Sequence, residues 1–465
     1  MVIYDSHQKE KIEFKPLKDK KVKIYVCGPT VYDDAHLGHA RSSISFDLLR
    51  RVLETLGYDV TFVKNFTDID DKIINKINAT GKSLEEITTH YINSYLNDME
   101  ALNVKRADIE PKATESLEAM FEIIQKLLDK GYAYKLPNGD IYFDVSKDEE
   151  YCNLSNKCPE DEGVHRVEVE GKKNPQDFAL WKACKGENDV CFDSPFGRGR
   201  PGWHIECSAM IKKHIAYSDT EYQIDIHGGG ADLFFPHHEN EEAQTYCAYN
   251  QHLAKYWMHN GFVTINGEKM SKSLGNSFFV KDALKHYPGE VLRFYLMSTH
   301  YRAPLNFSEE DLIASKKRLD KLYRLKKRIY GITKKQQDKE FEKKLLEAMR
   351  DDLNISKALA VVDEFVRVAN ENLDKNPKDK SLKQKIISNI EFIDKLLGVG
   401  GSDAYEYFQA GIDEDTKKKI NEMIEKRNEA KKEKNYELAD KIRDELQQLG
   451  IKIQDTPNGT VWEKV

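Results

Sequence analysis

Two short motifs carry basic side chains at positions suited to binding ATP. The first, His-Leu-Gly-His, occupies residues His36–His39, and the second, Lys-Met-Ser-Lys-Ser, occupies residues Lys269–Ser273. When a carboxylate attacks ATP, negative charge builds up on the α-phosphate and on the departing pyrophosphate. Positioned N–H donors and cations stabilise that charge and supply most of the catalysis. The two motifs together therefore predict an adenylating site.

Each motif has an ordinary alternative when it is taken alone. A pair of histidines three residues apart is more often structural or metal-binding, but at a helix start His36 and His39 can direct ring N–H groups at phosphate oxygens. Lys269 and Lys272 follow a predicted strand, Phe262–Ile265, and a tight turn, so they can close over the phosphates from a polar loop. The order of the motifs along the chain favours the ATP interpretation for both.

A further set of residues is a candidate metal site. Cys27 follows a predicted strand, Cys207 ends the run Trp-His-Ile-Glu-Cys, and His237 and Glu241 lie four residues apart on a predicted helix. Residues at this spacing share one helix face, with Cβ atoms about 6 Å apart. Two thiolates with an imidazole select zinc over magnesium or calcium. Two alternatives stay open, because both cysteines can be small buried hydrophobes and the same helix offers other donors. These other donors are His238, Glu239 and Glu242.

The spacing of apolar residues predicts the elements that position both sites. Val22–Val26 is a predicted strand, the apolar residues of Ile44–Leu56 recur at helical spacing, and Val60–Val63 is the next strand. This unit is typical of a doubly wound parallel sheet, which binds ligands at the carboxyl ends of its strands. His36 and His39 lie in a loop at such an end.

A second half of the same sheet is predicted further along the chain. Tyr222–His227 is a predicted strand, Gly228–Gly230 a loop and Pro236–Tyr249 a helix. Gly197–Gly202 matches the dinucleotide fingerprint Gly-x-Gly-x-x-Gly, but no predicted strand precedes it and Pro201 interrupts the start of the helix. We therefore predict two halves of one nucleotide-binding sheet and no nicotinamide site.

The remainder of the chain predicts an insertion and two appended modules. The stretch between the half-sheets begins helical at Leu117–Leu128 and becomes irregular at Tyr151–Lys173. The chain is mostly helical after Phe307, and Gly398–Gly401 is a predicted linker. A helical segment, Ile420–Leu449, then precedes a predicted hairpin. The predicted divisions are residues 1–120 for the first half of the catalytic domain, 121–200 for the insertion, 201–260 for the second half, 261–311 for the Lys-Met-Ser-Lys-Ser loop and the region after it, 312–400 for a helical bundle, and 401–465 for a small C-terminal unit.

Composition indicates an ordinary folded protein of several domains. The chain has 465 residues, 40% of them hydrophobic and 32% charged, and a net charge of -7. It contains no apolar run long enough to cross a membrane and no secretory leader at its start, so we expect a cytosolic protein. Seven cysteines suit free thiols or metal ligands better than a disulfide framework. Cys152, Cys158 and His165 form a second, weaker candidate metal set.

One segment, Ser315–Lys335, is strongly basic, with ten lysines and arginines against a single acid, Asp320. Such a stripe can contact phosphates. It can equally be a solvated helix face. The sequence alone leaves both interpretations open.

Nearly the whole chain resembles the cysteinyl-tRNA synthetases, a family of class I aminoacyl-tRNA synthetases. The two ATP motifs carry the resemblance together with other segments, which are Tyr25–Asp33, Thr67–Lys72, Trp203–Cys207, Asp225–Gly230 and Pro236–Glu241. One departure is Leu37, where the family motif has isoleucine. Because that exchange conserves volume, it puts little in doubt.

The resemblance implies a fold and a set of ligands. The implied fold is α/β, a class I synthetase Rossmann-like doubly wound parallel sheet with an insertion, followed by a helical bundle domain and a small C-terminal α+β domain. Both appended modules are implied to bind tRNA and its anticodon, and residues 261–311 to contact the tRNA stem. The implied ligands are L-cysteine, ATP with Mg²⁺, tRNA(Cys) and one Zn²⁺ per chain, in a monomeric cytoplasmic enzyme.

The resemblance also implies a role for each candidate residue. The implied zinc ligands are Cys27, Cys207, His237 and Glu241, and the implied phosphate contacts are His36, His39, Lys269 and Lys272. Gly229 and Asp232 are placed elsewhere on ATP, with Asp232 near the ribose, and Thr30, Trp203 and His227 in the cysteine pocket. For Trp203 and His227 an equal alternative is packing around the pocket. In the terminal unit, Arg427, Asp440 and Trp462 are candidate tRNA contacts, although a lone terminal tryptophan more often packs in its own small core.

The implied reaction has two steps: activation of L-cysteine to cysteinyl-adenylate and transfer of the cysteinyl group to the end of tRNA(Cys). Zinc would exclude serine, and no editing insertion is apparent. A mycothiol-type ligase shares the motifs and the zinc but lacks a full anticodon-binding tail, which this chain has. A non-catalytic tRNA-binding relative is expected to have lost His36, His39 or Lys272, and all three are present.

Overall fold

The computed structural model describes residues 1–158, 169–265, 267–269, 278–456 and 459–464, with the backbone alone at 268 and 269. The chain forms two compact units. The N-terminal unit comprises Met1–Val280, Thr299–Phe307 and Met349–Asn354, and the C-terminal unit comprises Lys281–Ser298, Ser308–Ala348 and Ile355–Val465. No helix among the described residues is long and apolar enough to cross a membrane.

The N-terminal unit combines several small sheets with helices. Its strands are β1 Val2–Asp5, β2 Glu10–Glu13, β3 Lys21–Val26, β4 Asp59–Lys64, β5 Ala133–Lys135, β6 Ile141–Phe143, β7 Phe178–Ala183, β8 Gly199–Pro201, β9 Tyr222–Gly230, β10 His252–Asn260, β11 Val263–Ile265, β12 Glu268–Lys269 and β13 Leu305–Asn306. Its helices are α1 Leu37–Thr55, α2 Asp71–Thr80, α3 Leu84–Ala101, α4 Leu117–Asp129, α5 Trp203–His214 and α6 Glu239–Tyr249.

The later part of the chain is mainly helical. Its elements are α7 Val280–Ala283, α8 Gly289–Ser298, α9 Glu309–Arg328, α10 Lys339–Met349, α11 Ile355–Lys375, α12 Lys380–Leu397, α13 Ala404–Tyr407, α14 Glu414–Lys432, α15 Tyr436–Gln448, β14 Ile451–Thr456 and β15 Gly459–Lys464.

A parallel sheet with the order β10-β9-β3-β4 forms the centre of the N-terminal unit. The chain passes from β3 through α1 to β4 on one side, while β9 pairs with β3 on the other side. The order therefore reverses between β3 and β9, where Tyr25 lies opposite His227 and Val26 opposite Gly228. Such a reversal opens a ligand-binding crevice at the carboxyl ends of the strands. The predicted doubly wound sheet is confirmed.

The three glycines at 228–230, predicted as a loop, are the last residues of β9. They pair with Met258, His259 and Asn260 of β10. A Cβ atom on Gly228 would lie 2.3 Å from Cε1 of Phe46 on α1. The loop prediction was wrong because glycine is needed here for close packing of the helix on the sheet and not for a turn.

The insertion contains an antiparallel sheet with the order β5-β6-β7-β8. The glycines of the rejected fingerprint belong to it. A Cβ atom on Gly199 would lie 2.2 Å from the Lys182 carbonyl oxygen, and one on Gly202 would lie 1.9 Å from that of Ala179. Gly199 and Gly202 therefore let β8 and the start of α5 approach β7.

The C-terminal unit contains a helical bundle and a small α+β module. In the bundle α9 packs against α8 and α11, with buried residues such as Leu322 and Leu359 in the interface. The predicted linker is packed: Val399 is buried, and the Gly400 N–H donates to Glu290 Oε2 at 2.9 Å. In the module α14, α15 and the hairpin β14–β15 share a small apolar core.

Candidate active site and metal centre

The two histidines of the first ATP motif lie where α1 begins. His36 caps the helix, because its Nδ1 accepts hydrogen bonds from the N–H groups of Gly38 and His39 at 3.1 and 3.4 Å. The Nδ1 of His39 in turn accepts from the His36 N–H at 3.2 Å, and the two rings stack 3.8 Å apart. Since each Nδ1 is an acceptor, each neutral ring carries its proton on Nε2. The helix start is therefore a source of N–H donors for an anion.

The predicted metal donors converge at the carboxyl ends of β3 and β9. The ligand atoms of Cys27, Cys207, His237 and Glu241 all lie within 4.8 Å of one another. Cys27 Sγ is 3.8 Å from Cys207 Sγ, Cys207 Sγ is 3.6 Å from His237 Nε2, and His237 Nε2 is 2.9 Å from Glu241 Oε1. Cys207, His237 and Glu241 are buried, and Cys27 is half-buried. Two sulfurs, a ring nitrogen and a carboxylate oxygen suit zinc.

Burial and mutual contacts shift the pKa values within this set. Burial raises the pKa of Cys207, but hydrogen bonds with Cys27 and His237 outweigh burial and bring it to about 6. Burial and the neighbouring Cys207 raise the pKa of Cys27 well above its usual range. Burial opposes charge on Glu241, yet His227 and His237 lower its pKa to about 2. Cys207 and Glu241 are therefore anionic at neutral pH, and metal binding would have to displace the proton that Cys27 keeps.

Other histidines surround the donors and fix their orientation. His227 is buried, with Nε2 at 2.7 Å from Glu241 Oε2. His238 places Nε2 at 3.3 Å from Cys27 Sγ and Nδ1 at 2.8 Å from His259 Nε2. Cys27, His227, His238 and Glu241 also have ligand atoms within 4.8 Å of one another, so His238 remains an alternative donor on geometry. Partners of this kind commonly hold metal ligands in place.

A cavity of about 660 Å³ in the N-terminal unit joins the two parts of the site. Cys27 lines one part of it, and His36 and His39 line another. The cavity also contains two cations at its wall, Lys64 and Lys72. A site with a soft-metal donor set beside N–H donors and cations can hold a thiol-containing molecule and a polyphosphate together.

Comparison with known proteins agrees with this chemistry. A family model described as "tRNA synthetases class I (C) catalytic domain" matches residues 13–317, one described as "DALR domain" matches 344–399, and one described as "Cysteinyl-tRNA ligase anticodon binding domain" matches 413–462. A curated Nitratiruptor sp. protein named "Cysteine--tRNA ligase" is 70% identical over 100% of both chains. A relative of the same name from Aliarcobacter butzleri is 64% identical over 100% of this chain and 99% of its own.

The chain belongs to the cysteine–tRNA ligase family. It is an enzyme that forms an aminoacyl-tRNA bond. Its fold is also that of solved class I synthetases. A Mycobacterium tuberculosis methionyl-tRNA synthetase in complex with methionyl-adenylate has a TM-score of 0.59 at 15% identity, covering 81% of this chain and 92% of its own.

Within this ligase the other predicted site residues have defined positions. Thr30 pairs through its backbone with Thr67, and it lines the cavity. Asp232, in the turn Ala231–Leu233, also lines the cavity. Trp203 lines the cavity, and its ring stacks on His237 at 4.1 Å. Gly229 is buried near the end of β9, beside the His238 ring.

The second ATP motif is described only where it begins. The backbone of Lys269 is the end of β12 and pairs with Thr264 of β11. Lys272 lies outside the described residues. Both proposed roles at the phosphates stay predictions.

Sequence reasoning missed two cavity lysines of the ligase. Lys64 ends β4, and its Nζ donates to Ser43 Oγ at 2.8 Å. Lys72 lies in the first turn of α2, within the motif Thr67–Lys72. The rule that ligands bind at the carboxyl ends of parallel strands was the signal that could have identified Lys64.

The cysteines of the insertion correct one expectation. Cys152–Cys158 and Cys184–Cys191 form disulfides, leaving Cys27, Cys207 and Cys247 free. The prediction of free thiols was wrong for these four, because each pair is brought by a short loop to a Cα separation of 5.4 or 5.7 Å. Of the second candidate metal set, His165 lies outside the described residues.

The residues of the C-terminal module that were candidate tRNA contacts bind other residues of the same module. Arg427 Nη1 donates to Asp455 Oδ1 at 2.9 Å, and the Trp462 ring N–H donates to Asn421 Oδ1 at 2.8 Å. Trp462 is buried, so the structure favours the packing alternative over stacking on an anticodon base. Asp440 is exposed and pairs with Arg443.

Proposed function

We propose that this cysteine–tRNA ligase selects L-cysteine through a zinc ion held by Cys27, Cys207, His237 and Glu241. The observation that carries the proposal is the convergence of these ligand atoms within 4.8 Å, with Cys27 also facing the cavity. When bound there, zinc would supply a Lewis acid that takes the substrate sulfur as a thiolate.

Selection by the thiol answers a problem that pocket shape alone cannot solve. Serine is nearly isosteric with cysteine, and an apolar pocket discriminates such pairs by only about 10²-fold. Thiolates are soft ligands that suit zinc, whereas the serine hydroxyl is harder and much less acidic. We expect discrimination of about 10⁴-fold or more, without an editing domain, as in sites that recognise a substrate group directly.

The residues around the donors keep them in a fixed arrangement for this task. His227 directs Glu241 by its contact at 2.7 Å. Trp203 holds the His237 ring by stacking and forms a wall of the cavity with Thr30. In our proposal these residues orient the substrate side chain and exclude water from it.

The first step is adenylation. The cysteine carboxylate attacks the α-phosphorus of ATP, the bond to the β-phosphate breaks, and pyrophosphate leaves. His36 and His39 donate from Nε2 to phosphate oxygens. This assignment is supported by the contacts of Nδ1, which accepts a backbone N–H in each ring and so leaves the proton on Nε2. Lys269 and Lys272 neutralise the developing charge, Mg²⁺ accompanies ATP, and Gly229 and Asp232 contact the nucleoside, with Asp232 at the ribose.

The second step is transfer to tRNA(Cys). A hydroxyl of the terminal ribose attacks the cysteinyl carbonyl carbon, the bond from that carbon to the phosphate oxygen breaks, AMP leaves with the bonding electrons, and the hydroxyl proton passes to a phosphate oxygen of AMP. The helical bundle and the module after residue 412 bind the tRNA body and anticodon, in keeping with the family models that match there. We propose that the enzyme acts as a monomer.

The test is ATP–pyrophosphate exchange with cysteine or serine, with zinc measured in the same sample. We expect exchange with cysteine alone and about one active-site zinc per chain. Cys207→Ala should release this zinc and abolish exchange, while Cys247→Ala, a free cysteine outside the donor set, should keep both. Normal exchange by Cys207→Ala without the metal would refute the zinc pocket.

A further inference from the structure

A second group of potential metal ligands lies in the insertion, outside the active site. Cys184, Asp189 and Cys191 have ligand atoms within 4.8 Å of one another, and all three residues are half-buried. They lie on the loop between β7 and β8. The two sulfurs are joined in the structure, and their Cα atoms are 5.7 Å apart.

The loop is anchored at its base and folded back on itself. At the base, the Cys184 N–H donates to the Arg198 carbonyl at 3.0 Å, and the Phe192 N–H donates to Gly199 at 2.6 Å. Within the loop, the Asp189 side chain accepts from the Lys185 N–H at 3.1 Å. Gly186 has a φ of +124°, which permits the tight turn. These contacts hold the Asp189 carboxylate beside both cysteines, and none of them involves a sulfur atom.

A buried arginine sets the charge balance of the group. Arg200 is 6% exposed, and its Nε donates to Asp189 Oδ1 at 3.2 Å. Its Nη2 contacts Asp71, whose other oxygen pairs with Lys182 at 3.2 Å. With both cysteines reduced and ionised, the two thiolates and the Asp189 carboxylate carry three negative charges against one positive charge on Arg200. A divalent cation would bring the sum to zero.

We propose that the reduced Cys184–Cys191 pair, together with Asp189, binds a zinc ion that is separate from the one in the active site. Two thiolates select zinc over magnesium or calcium, and a water molecule can complete four-coordination. Sulfurs bound to one zinc ion at about 2.3 Å lie within about 4.6 Å of each other, so the anchored loop needs only a small opening.

The chemical change balances as follows. A dithiol reductant gives two electrons and two protons to the disulfide and is itself oxidised to a disulfide, which leaves two protein thiols. On binding zinc, both thiols release their protons to solvent, and each sulfur donates a lone pair to the ion. The Asp189 carboxylate binds without a proton change.

The experiment measures zinc bound by the full-length chain after reduction. The protein is treated with a dithiol, freed of it by gel filtration under nitrogen, loaded with zinc alone and analysed by elemental mass spectrometry. We expect about two tightly bound zinc ions per chain, and about one in the Cys184→Ser/Cys191→Ser variant. About one zinc in the reduced wild-type chain, unchanged in that variant, would overturn the proposal and leave the loop with a disulfide only.

Matched variants separate this site from its surroundings. Asp189→Asn should weaken the second zinc, whereas Asp193→Asn should not, because Asp193 is exposed and outside the group. Equal zinc affinity in the two variants would contradict the role of Asp189. Cys207→Ser should lose the active-site zinc and keep this one. Cobalt substitution gives a second readout, because thiolate-to-cobalt absorption should fall in Cys184→Ser/Cys191→Ser while cysteine-dependent exchange persists.

Discussion

At the scale of single residues, the histidines of the first ATP motif each have an observed role in capping α1 and a proposed role at the phosphates. Nδ1 of His36 caps α1, and Nδ1 of His39 closes the reciprocal bond. The opposite nitrogen of each ring is then the donor assigned to the phosphates. In our proposal, helix capping and phosphate binding therefore depend on different atoms of the same side chain.

An asparagine at position 36 can separate these purposes. His36→Asn keeps a cap acceptor, so the free energy of unfolding should stay near that of the wild type, whereas His36→Ala should lose about 0.5–2 kcal/mol. Both variants lack the Nε2 donor, so both should lower adenylate formation by about 10²–10³-fold. Urea unfolding and pyrophosphate exchange measure the two effects. Wild-type exchange by His36→Asn would contradict the assignment to phosphate.

The contact between His227 and Glu241 gives a second prediction at this scale. His227→Leu removes the donor to Glu241 Oε2 and should weaken zinc binding by about 10–100-fold, because the carboxylate loses its orientation. His227→Gln retains an N–H donor and should recover part of the affinity. Competition with a zinc chelator measures both. His252→Gln is the control, because His252 pairs with Glu242 instead; an equal loss there would point to a general effect on the fold.

The metal donors were predictable from the sequence because residue type and helical spacing limit the choices. Cys27, Cys207, His237 and Glu241 lie together as expected. His238 was an open alternative donor in the sequence, but which atoms its ring would contact was not predictable, because its orientation depends on a short irregular turn before α6, where Phe235 has extended backbone angles. Helical periodicity carries no information about such a turn.

At the scale of elements, the packing of α1 on β9 rests on a missing side chain. Gly228→Ala places a Cβ atom 2.3 Å from the buried Phe46 ring and should lower the free energy of unfolding by about 1–3 kcal/mol. In a Phe46→Leu background the same change should be less costly, since the colliding ring atoms are absent. A double-mutant cycle by urea unfolding measures this coupling. Additive effects would contradict the collision.

The terminal module makes a prediction about acid. Hydrogen bonds from Arg427 and then Lys431 hold the pKa of Asp455 well below its usual range. An aspartate whose pKa is lower in the folded state than in the unfolded state stabilises the fold at any pH above the unfolded-state pKa, which is about 3.9. This stabilisation is lost as the pH falls through the folded-state pKa. Because the Asp455 side chain is 45% exposed, the pair should contribute about 1 kcal/mol or less at neutral pH.

Arg427→Met tests this contribution while keeping the apolar part of the side chain. The variant should have a lower melting temperature than the wild type at pH 7. The difference between the two melting temperatures should become smaller below about pH 4. Arg443→Met, which removes an exposed partner of Asp440, should show no such narrowing. A gap for Arg427→Met that is independent of pH would exclude the ion pair as its cause.

Helices and strands with a clear pattern of apolar residues were predictable from the sequence. Features that depend on contacts between distant parts of the chain were not. Val22–Val26 and Val60–Val63 lie within β3 and β4, because buried parallel strands have continuous apolar runs. The basic stripe of α9 was ambiguous because several of the acids that pair with it lie far away in the chain. Arg318 pairs with Asp363 at 2.6 Å and Arg328 with Asp374 at 2.6 Å, so much of its charge is used within the unit.

At the scale of the whole molecule, we expect one part of the chain to activate cysteine and another part to recognise tRNA. The contacts of the residues after Gly398–Gly401 indicate that a truncation separating these two parts should lie beyond this glycine-rich stretch. Tyr407 on α13 stacks on Tyr323 of α9 at 3.8 Å, and the Ser402 N–H donates to Glu290 at 3.2 Å. Ser402 and Tyr407 therefore contact the bundle, whereas Gln409 and Ile412 already contact the terminal module, and the family model for the anticodon domain begins at 413.

A chain ending after Ile412 should keep cysteine-dependent pyrophosphate exchange and lose most tRNA charging. The control is a chain ending after Gly400, which loses the Tyr323–Tyr407 stack and should also unfold at lower temperature. Exchange, charging and thermal melting are measured on both. Equal loss of exchange and charging after the cut at 412 would contradict the modular scheme.

The wide separation of the metal donors along the chain has a consequence for how the protein is made. Cys27 and Cys207 are 180 residues apart, and Glu241 comes later still. During synthesis at about 5–20 residues per second, Cys27 is made about 9–36 seconds before Cys207. Contacts of such long range form late in folding. Zinc capture would therefore mark the completion of the catalytic fold, and unfinished chains would not compete for the metal supply of the cell.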